Sequence, residues 1–294
     1  MFAKNLNETN LVIETTKIMH LLSASYQEKV YEFTKLQLEQ QNDITYTSDA
    51  MKPGLVKEAS VAYTVEPIKE NAQNLKSKFN MTRDQSIFVA KRNIVDYIFK
   101  SAKLEGFGVT YPATDAIFNG VGSNDATVKE TIAINNLKRA WQFLLDTLDI
   151  PIDYTFICHL NKLVGRDDLI FNSGKIRTLD VTIGGTTWRP EIPNEEKLKA
   201  GLAHLSLIEN HTERAMEIML YLMRGQFFMD GNKRTATFAA NKEMIANGQG
   251  VISIPLDQIE PFKHQLIHFY ETNQKDDIKE FIYLNCIDGI DFQN

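Results

Sequence analysis

Residues 215–223, AMEIMLYLM, are apolar on almost every face, and a helix of that kind is stable only with protein packed all round it. The rest of the chain has to supply that surround. Apolar residues spaced three and four apart do so repeatedly, beginning with Met19, Leu22, Tyr26, Val30 and Phe33, the stripe of an amphipathic helix. Thr82 followed by Gln85 is a capping-box pattern, and Ile87, Phe88, Ile94, Val95 and Ile98 after it predict one long helix reaching 99–104. Ile134, Leu137, Trp141, Leu144 and Leu145 predict another, stopped by Pro151, and a further one runs near 153–164. Leu198, Leu202, Leu205 and Ile208 mark a helix before the apolar one, and 234–246 makes one after it, ending at Asn247-Gly248. Two more carry Ile259, Phe262, Leu266 and Phe269, then Ile278, Phe281 and Ile282.

The remaining segments read differently. Residues 41–66 lose the period and contain Pro53 and Gly54, the pattern of a connector, and Gly106 with Gly108 opens a loop to about Asn124. Residues 176–188, IRTLDVTIGGTTW, alternate and are rich in Thr around Gly184-Gly185, which predicts a β-hairpin. The fold class is mainly α, with about eight helices and one hairpin.

A net charge of −6 and a pI near 5.6 give no broad attraction for nucleic acid or an anionic membrane, so neither partner is expected. Cys158 and Cys286 flank no CxxC and read as reduced core residues. The opening MFAKNLNETNLVIETT is polar and acidic where a secretory signal needs an apolar run, and no apolar stretch of about 18 residues occurs. The expected location is the cytoplasm.

Chemistry concentrates in Gln226-Phe227-Phe228-Met229-Asp230-Gly231-Asn232-Lys233-Arg234. A loop with glycine and asparagine, ending at a helix N-terminus and loaded with cations, suits a polyphosphate. Gly231 allows close approach of backbone, Asp230 offers a hard oxygen for Mg²⁺ held jointly with phosphates, and Lys233 and Arg234 neutralise charge. An ordinary turn before a helix has the same residues, so the loop alone leaves both readings open.

The stretch resembles the Fic/Doc motif, His-x-Phe-x-(Asp/Glu)-Gly-Asn-(Gly/Lys)-Arg-x-x-Arg. It matches at Phe228, Asp230, Gly231, Asn232, Lys233 and Arg234, and departs at Gln226 for the histidine and Thr237 for the last arginine. Upstream, Ser101-Ala-Lys-Leu-Glu105-Gly106 resembles the (Ser/Thr)-x-x-x-Glu-(Gly/Asn) inhibitory motif of one Fic class, whose glutamate pairs with that last arginine. With Thr237 there, a clamp by Glu105 has to use Arg234 or Lys233, or has relaxed.

The resemblance implies a Fic-type helical bundle with a flap at the hairpin, where Thr178, Asp180, Thr182 and Thr187 suit pairing with an extended target segment, contact with solvent explaining their polarity equally well. The resemblance covers roughly 130–290, and the chain is expected to divide into 1–75 as an N-terminal helical region, 76–125 as inhibitory-type helix and linker, and 126–290 as the core. It further implies ATP as substrate with Mg²⁺, and transfer of AMP to a hydroxyl of a protein target or of the chain itself. A homo-oligomer is compatible with it. Lys233-Arg234-Thr235-Ala236 also resembles the Doc branch, which moves the γ-phosphoryl group and still needs the histidine. Gln226 has no usable basicity near neutral pH. Among the other histidines, His204 and His211 border the apolar helix, while His20, His159, His264 and His268 have no motif around them. The expectation is weak or absent transfer with binding kept; the alternative is a non-catalytic nucleotide- or protein-binding regulatory module.

Overall fold

The computed structural model describes residues 76–291. The expected helix at 19–33 and the connector at 41–66 lie outside them. Ten α-helices follow in order: α1 Arg83–Arg92, α2 Ile94–Leu104, α3 Tyr111–Phe118, α4 Val128–Asp146, α5 Tyr154–Val164, α6 Glu195–Leu205, α7 His211–Gly225, α8 Asn232–Ala246, α9 Ile259–Thr272 and α10 Asp276–Asn285. Among the described residues one small antiparallel sheet pairs β1 Val251–Ile252 with β2 Ile287–Asp288, Val251 opposite Asp288. No described helix is long and apolar enough to cross a membrane.

Local chemistry sets most helix starts. Thr82, Thr110, Thr127, Asp153, Asn194 and Asn210 each cap a helix with a side-chain oxygen, and the Thr82–Gln85 and Thr127–Glu130 pairs form complete capping boxes. The long helix expected after Thr82 is two: Asn93 breaks it, and its amide donates to the Tyr97 hydroxyl and the Asp288 carboxylate instead of staying in solvent. A further helix, α3, occupies the loop expected after Gly108, started by the Thr110 cap with Pro112 in its first turn.

Among the described residues the centre is the α7–α8 pair. Helix α7 buries Ala215 to Leu220, Leu222 and Met223, as its composition demands. Helix α8 looks polar, yet buries all its residues except Lys233, Thr237 and Ala246. Its polar side chains are satisfied at long range: Asn241 pairs with both the N–H and the carbonyl of Ile252 at 2.6 and 2.9 Å, and Lys242 donates to Leu148 O at 3.1 Å. Trp141 of α4 stacks on Tyr97 and meets Phe238 edge-on, which docks α2 and α4 on α8. Both cysteines are free, and burial pushes the Cys286 thiol up to about 12.

The hairpin expected at 176–188 does not form a strand ladder. A turn lies at Gly184-Gly185, but the stem is irregular, and Arg177 takes one of its carbonyls. The guanidinium accepts no cross-strand role; it donates to Leu179 O at 2.7 Å and Glu191 O at 2.6 Å. The segment is nevertheless a flap in position, its turn lying against α9, where a Cβ on Gly185 would stand 2.8 Å from Ile267 Cδ1.

Candidate active site

Helix α7 ends at Gln226 in the left-handed region (φ 44°, ψ 54°), and α8 begins at Gly231, also left-handed (φ 76°). These two corners fold residues 227–230 into a compact loop. Phe227 and Phe228 are buried under it and anchor it in the core, as packing residues. Gly231 is required twice over: its φ suits glycine, and a Cβ there would lie 2.8 Å from Ile170 Cδ1 and 3.2 Å from Asn161 Nδ2.

Asn232 laces the loop from inside. Its Oδ1 accepts from Phe228 N at 3.0 Å, and its Nδ2 donates to Phe228 O at 2.8 Å and to Gln226 Oε1 at 3.1 Å. Two residues from outside the motif complete the hold, and neither stands out in the sequence. Asn161 of α5, fully buried, donates to Asp230 O at 3.0 Å and to Thr235 Oγ1 at 3.1 Å, and accepts from Gly174 N at 2.8 Å. Arg177 donates from Nε to Gln226 O at 2.5 Å, while its own N–H donates to Phe227 O at 2.9 Å.

Gln226 is fully engaged. Its Nε2 donates to Met223 O at 2.6 Å and reaches the Tyr270 hydroxyl at 3.4 Å, while Oε1 takes the Asn232 bond. Burial pushes the Tyr270 phenol well above its ordinary range, with the Glu105 carboxylate adding to it against the bond from Gln226, so Tyr270 is no base at neutral pH. Of the described histidines, none lines the cleft. His211 Nδ1 pairs with Glu243 at 2.8 Å elsewhere, and burial lowers His159.

Unlike the six helices capped by side chains, α8 has no such cap at its N-terminus, so its first-turn N–H groups and the positive end of its dipole face the cleft for an anion. The cleft, about 340 Å³, has Gln226, Asp230, Asn232 and Lys233 as its floor, Glu105 at one side, the flap residues Val181 to Gly184 on another, and Lys263, Leu266, Ile267 and Tyr270 of α9 opposite. Thr182 is thus brought to the cleft. Thr178 and Asp180 are exposed and do not line it.

Glu105 is the C-cap of α2, where left-handed Gly106 (φ 84°) turns the chain away. Its carboxylate lies 3.6 Å from Lys233 Nζ and 3.8 Å from Arg234 Nε, distances of ion pairing without a hydrogen bond. Both Glu105 Oε1 and Arg234 Nε are buried without a hydrogen-bond partner. Thr237 takes no part: its hydroxyl donates to Lys233 O, and it lines a separate space of about 30 Å³ between α2 and α8 with Ser101 and Arg234. Asp230 accepts from Gly231 N, and its other oxygen is 3.4 Å from Arg234 Nη2; its side chain is 64% exposed. Among the described residues no three His, Cys, Asp or Glu gather as a metal cage. A single exposed carboxylate fits a Mg²⁺ ion that takes its other ligands from phosphate and water.

Residues 151–244 match the profile of the Fic/DOC family. A search of curated proteins returns no match. Among solved structures, the chain superposes on Fic-1 from Caenorhabditis elegans with a TM-score of 0.59 and 20% identity, covering 72% of this chain and 64% of that one. A Fic-domain-containing signaling protein from Bacteroides thetaiotaomicron gives a TM-score of 0.59 at 18% identity over 69% and 85% of the two chains. A Fic family protein from Desulfovibrio desulfuricans gives 0.55 at 14% over 68% and 64%. The chain therefore spans less than two thirds of the nematode structure, and the likeness speaks for the fold. The profile match runs from just before α5 into the last turn of α8, holding Asn161, Arg177, the flap and the whole loop that both residues brace; over these residues the chain matches the Fic/DOC family, and it shares the fold of the Fic-domain structures.

Proposed function

We propose that the cleft binds ATP through its phosphates, with Mg²⁺ at Asp230, and that transfer of AMP to a protein hydroxyl is slow because Gln226 stands where the general base is required. The observation that carries this is the pairing of an uncapped α8 N-terminus with Lys233 on the floor, Arg234 buried beneath it, and a base position filled by an amide. In the reaction the target oxygen forms a bond to the α-phosphorus, the bond to the bridging oxygen breaks, and pyrophosphate leaves with the electron pair. First-turn N–H groups and Lys233 hold phosphate oxygens, and Arg234 supplies charge from beneath. A bound Mg²⁺ would neutralise phosphate charge. The hydroxyl proton has no acceptor at residue 226 and goes to solvent, which costs roughly 10²- to 10⁴-fold in rate.

One observation favours a second reading, a non-catalytic nucleotide- or protein-binding module: both ends of the Gln226 amide are spent on Met223 O and Asn232, so it does not even orient a hydroxyl. Labelled ATP, Mg²⁺ and host lysate separate the two, with wild type beside Gln226→His. Label transferred by both, strongly by the variant, supports slow transfer. Label by the variant alone supports the silent binder. Absence of calorimetric heat from a folded wild type at high ATP concentration removes the nucleotide reading altogether.

A further inference from the structure

Arg177 is 2% exposed and has no carboxylate within hydrogen-bonding reach; its partners are backbone carbonyls. Burying a guanidinium on carbonyls alone is expensive, and burial lowers its proton affinity despite the opposing charge of Asp180. A role that only a planar, many-donor fork fills explains its presence. The fork touches three stretches of chain. Nε reaches Gln226 O at 2.5 Å, Nη1 reaches Leu179 O at 2.7 Å, and Nη2 reaches Glu191 O at 2.6 Å and Pro190 O at 3.5 Å. Leu179 and Pro190 stand at the two ends of the flap stem, and Gln226 is the strained corner of the loop.

The floor and one wall of the cleft are therefore tied at one residue, the fork adding to the bond from the backbone N–H of Arg177 to Phe227 O at 2.9 Å. The flap's other anchors run to α9 and not to the loop: Thr186 Oγ1 donates to Glu271 at 2.8 Å, and Trp188 stacks on Tyr270 at 5.6 Å. We infer that Arg177 is a positioning residue that couples the flap to the left-handed corner at Gln226, so that flap and loop 226–231 open and close as one unit and cleft width is fixed by it. A segment docked against the flap is then felt at the nucleotide floor, and a bound phosphate stiffens the flap.

The test is hydrogen exchange on the full chain, comparing wild type, Arg177→Gln and Arg177→Lys, with peptides covering 178–189, 226–231 and α10, alongside ATP–Mg²⁺ titration. Arg177→Gln should raise exchange about tenfold in the flap and in the loop together, leave α10 unchanged, and weaken nucleotide binding about tenfold. Arg177→Lys, which keeps the charge and loses the fork, should behave the same way. A flap that loosens while 226–231 stays protected, or full rescue by lysine, overturns the inference. Should Arg177→Gln raise α10 exchange as well, the domain has opened globally and the lysine variant decides by the same criteria. The affinity arm rests on the nucleotide reading given above; the exchange arm does not, so the two fail separately.

Discussion

Replacing Glu105 with glutamine keeps the shape of the side chain and removes its charge, and should tighten nucleotide binding. The carboxylate lies 3.6 Å from Lys233 and 3.8 Å from Arg234, with its side chain 12% exposed. At an effective dielectric near 20, each contact is worth about 4–5 kcal/mol gross, before the cost of desolvation. A phosphate group arriving beside the same two cations replaces that attraction with its own and meets repulsion from Glu105, of about 3 kcal/mol gross at roughly 6 Å. Relaxation and screening reduce this to about 1.5–3 kcal/mol, a gain of roughly 10- to 100-fold in affinity. Calorimetric titration of ATP and of inorganic triphosphate into wild type and Glu105→Gln measures it. Because buried Arg234 then keeps only Asp230 as counter-charge, the variant should lose about 1–3 kcal/mol of stability, which denaturant unfolding measures alongside. An affinity unchanged within about twofold, or weakened, in a folded variant refutes the argument that Glu105 competes with phosphate for Lys233 and Arg234.

Three further outcomes follow from the geometry. Gly231→Ala should cost about 2–4 kcal/mol, from its positive φ and the 2.8 Å approach to Ile170, seen as a melting point lower by roughly 5–10 °C; Gly231→Asn, tolerant of the left-handed region but bringing the same Cβ, should not restore it. Asn161→Ala strands Asp230 O and Gly174 N–H in the core and should cost about 2–4 kcal/mol in denaturant unfolding while abolishing ATP binding. Glu217 is buried, which opposes ionisation, but Lys275 and Lys279 beside it hold its carboxyl below the usual range. A depressed folded value means its contribution is complete above the unfolded pKa and lost as pH falls through the folded one. Acid unfolding of wild type should therefore be steeper below about pH 4 than that of Glu217→Gln.

Much of this was legible where the cause is local. The Thr82–Gln85 box, the stop at Pro151 and the all-apolar α7 follow from neighbours in sequence. Helix α8 was legible as a helix but not as the centre, because its burial depends on Asn241 and Lys242 finding carbonyls far along the chain. The alternation at 176–188 looks like strand, but Arg177 inside it is buried on Leu179 O and on Glu191 O beyond the segment, and no ladder forms there. Asn161 and Arg177 left no signal: each is a lone polar residue whose worth lies in bonds spanning 69 and 49 positions. Glu105 beside Lys233 and Arg234 is the arrangement that the threonine at 237 leaves available, and the structure places it there.

The corner at residue 226 also bears on how easily this domain changes trade. A left-handed backbone excludes β-branched residues but is visited readily by histidine, more so than by glutamine. Exchanging one for the other here strains no backbone and gives up only the amide's bonds to Met223 O and Asn232. Glutamine and histidine codons differ by a single base. Residue 226 thus stands one base change from histidine, on a backbone that already accommodates it.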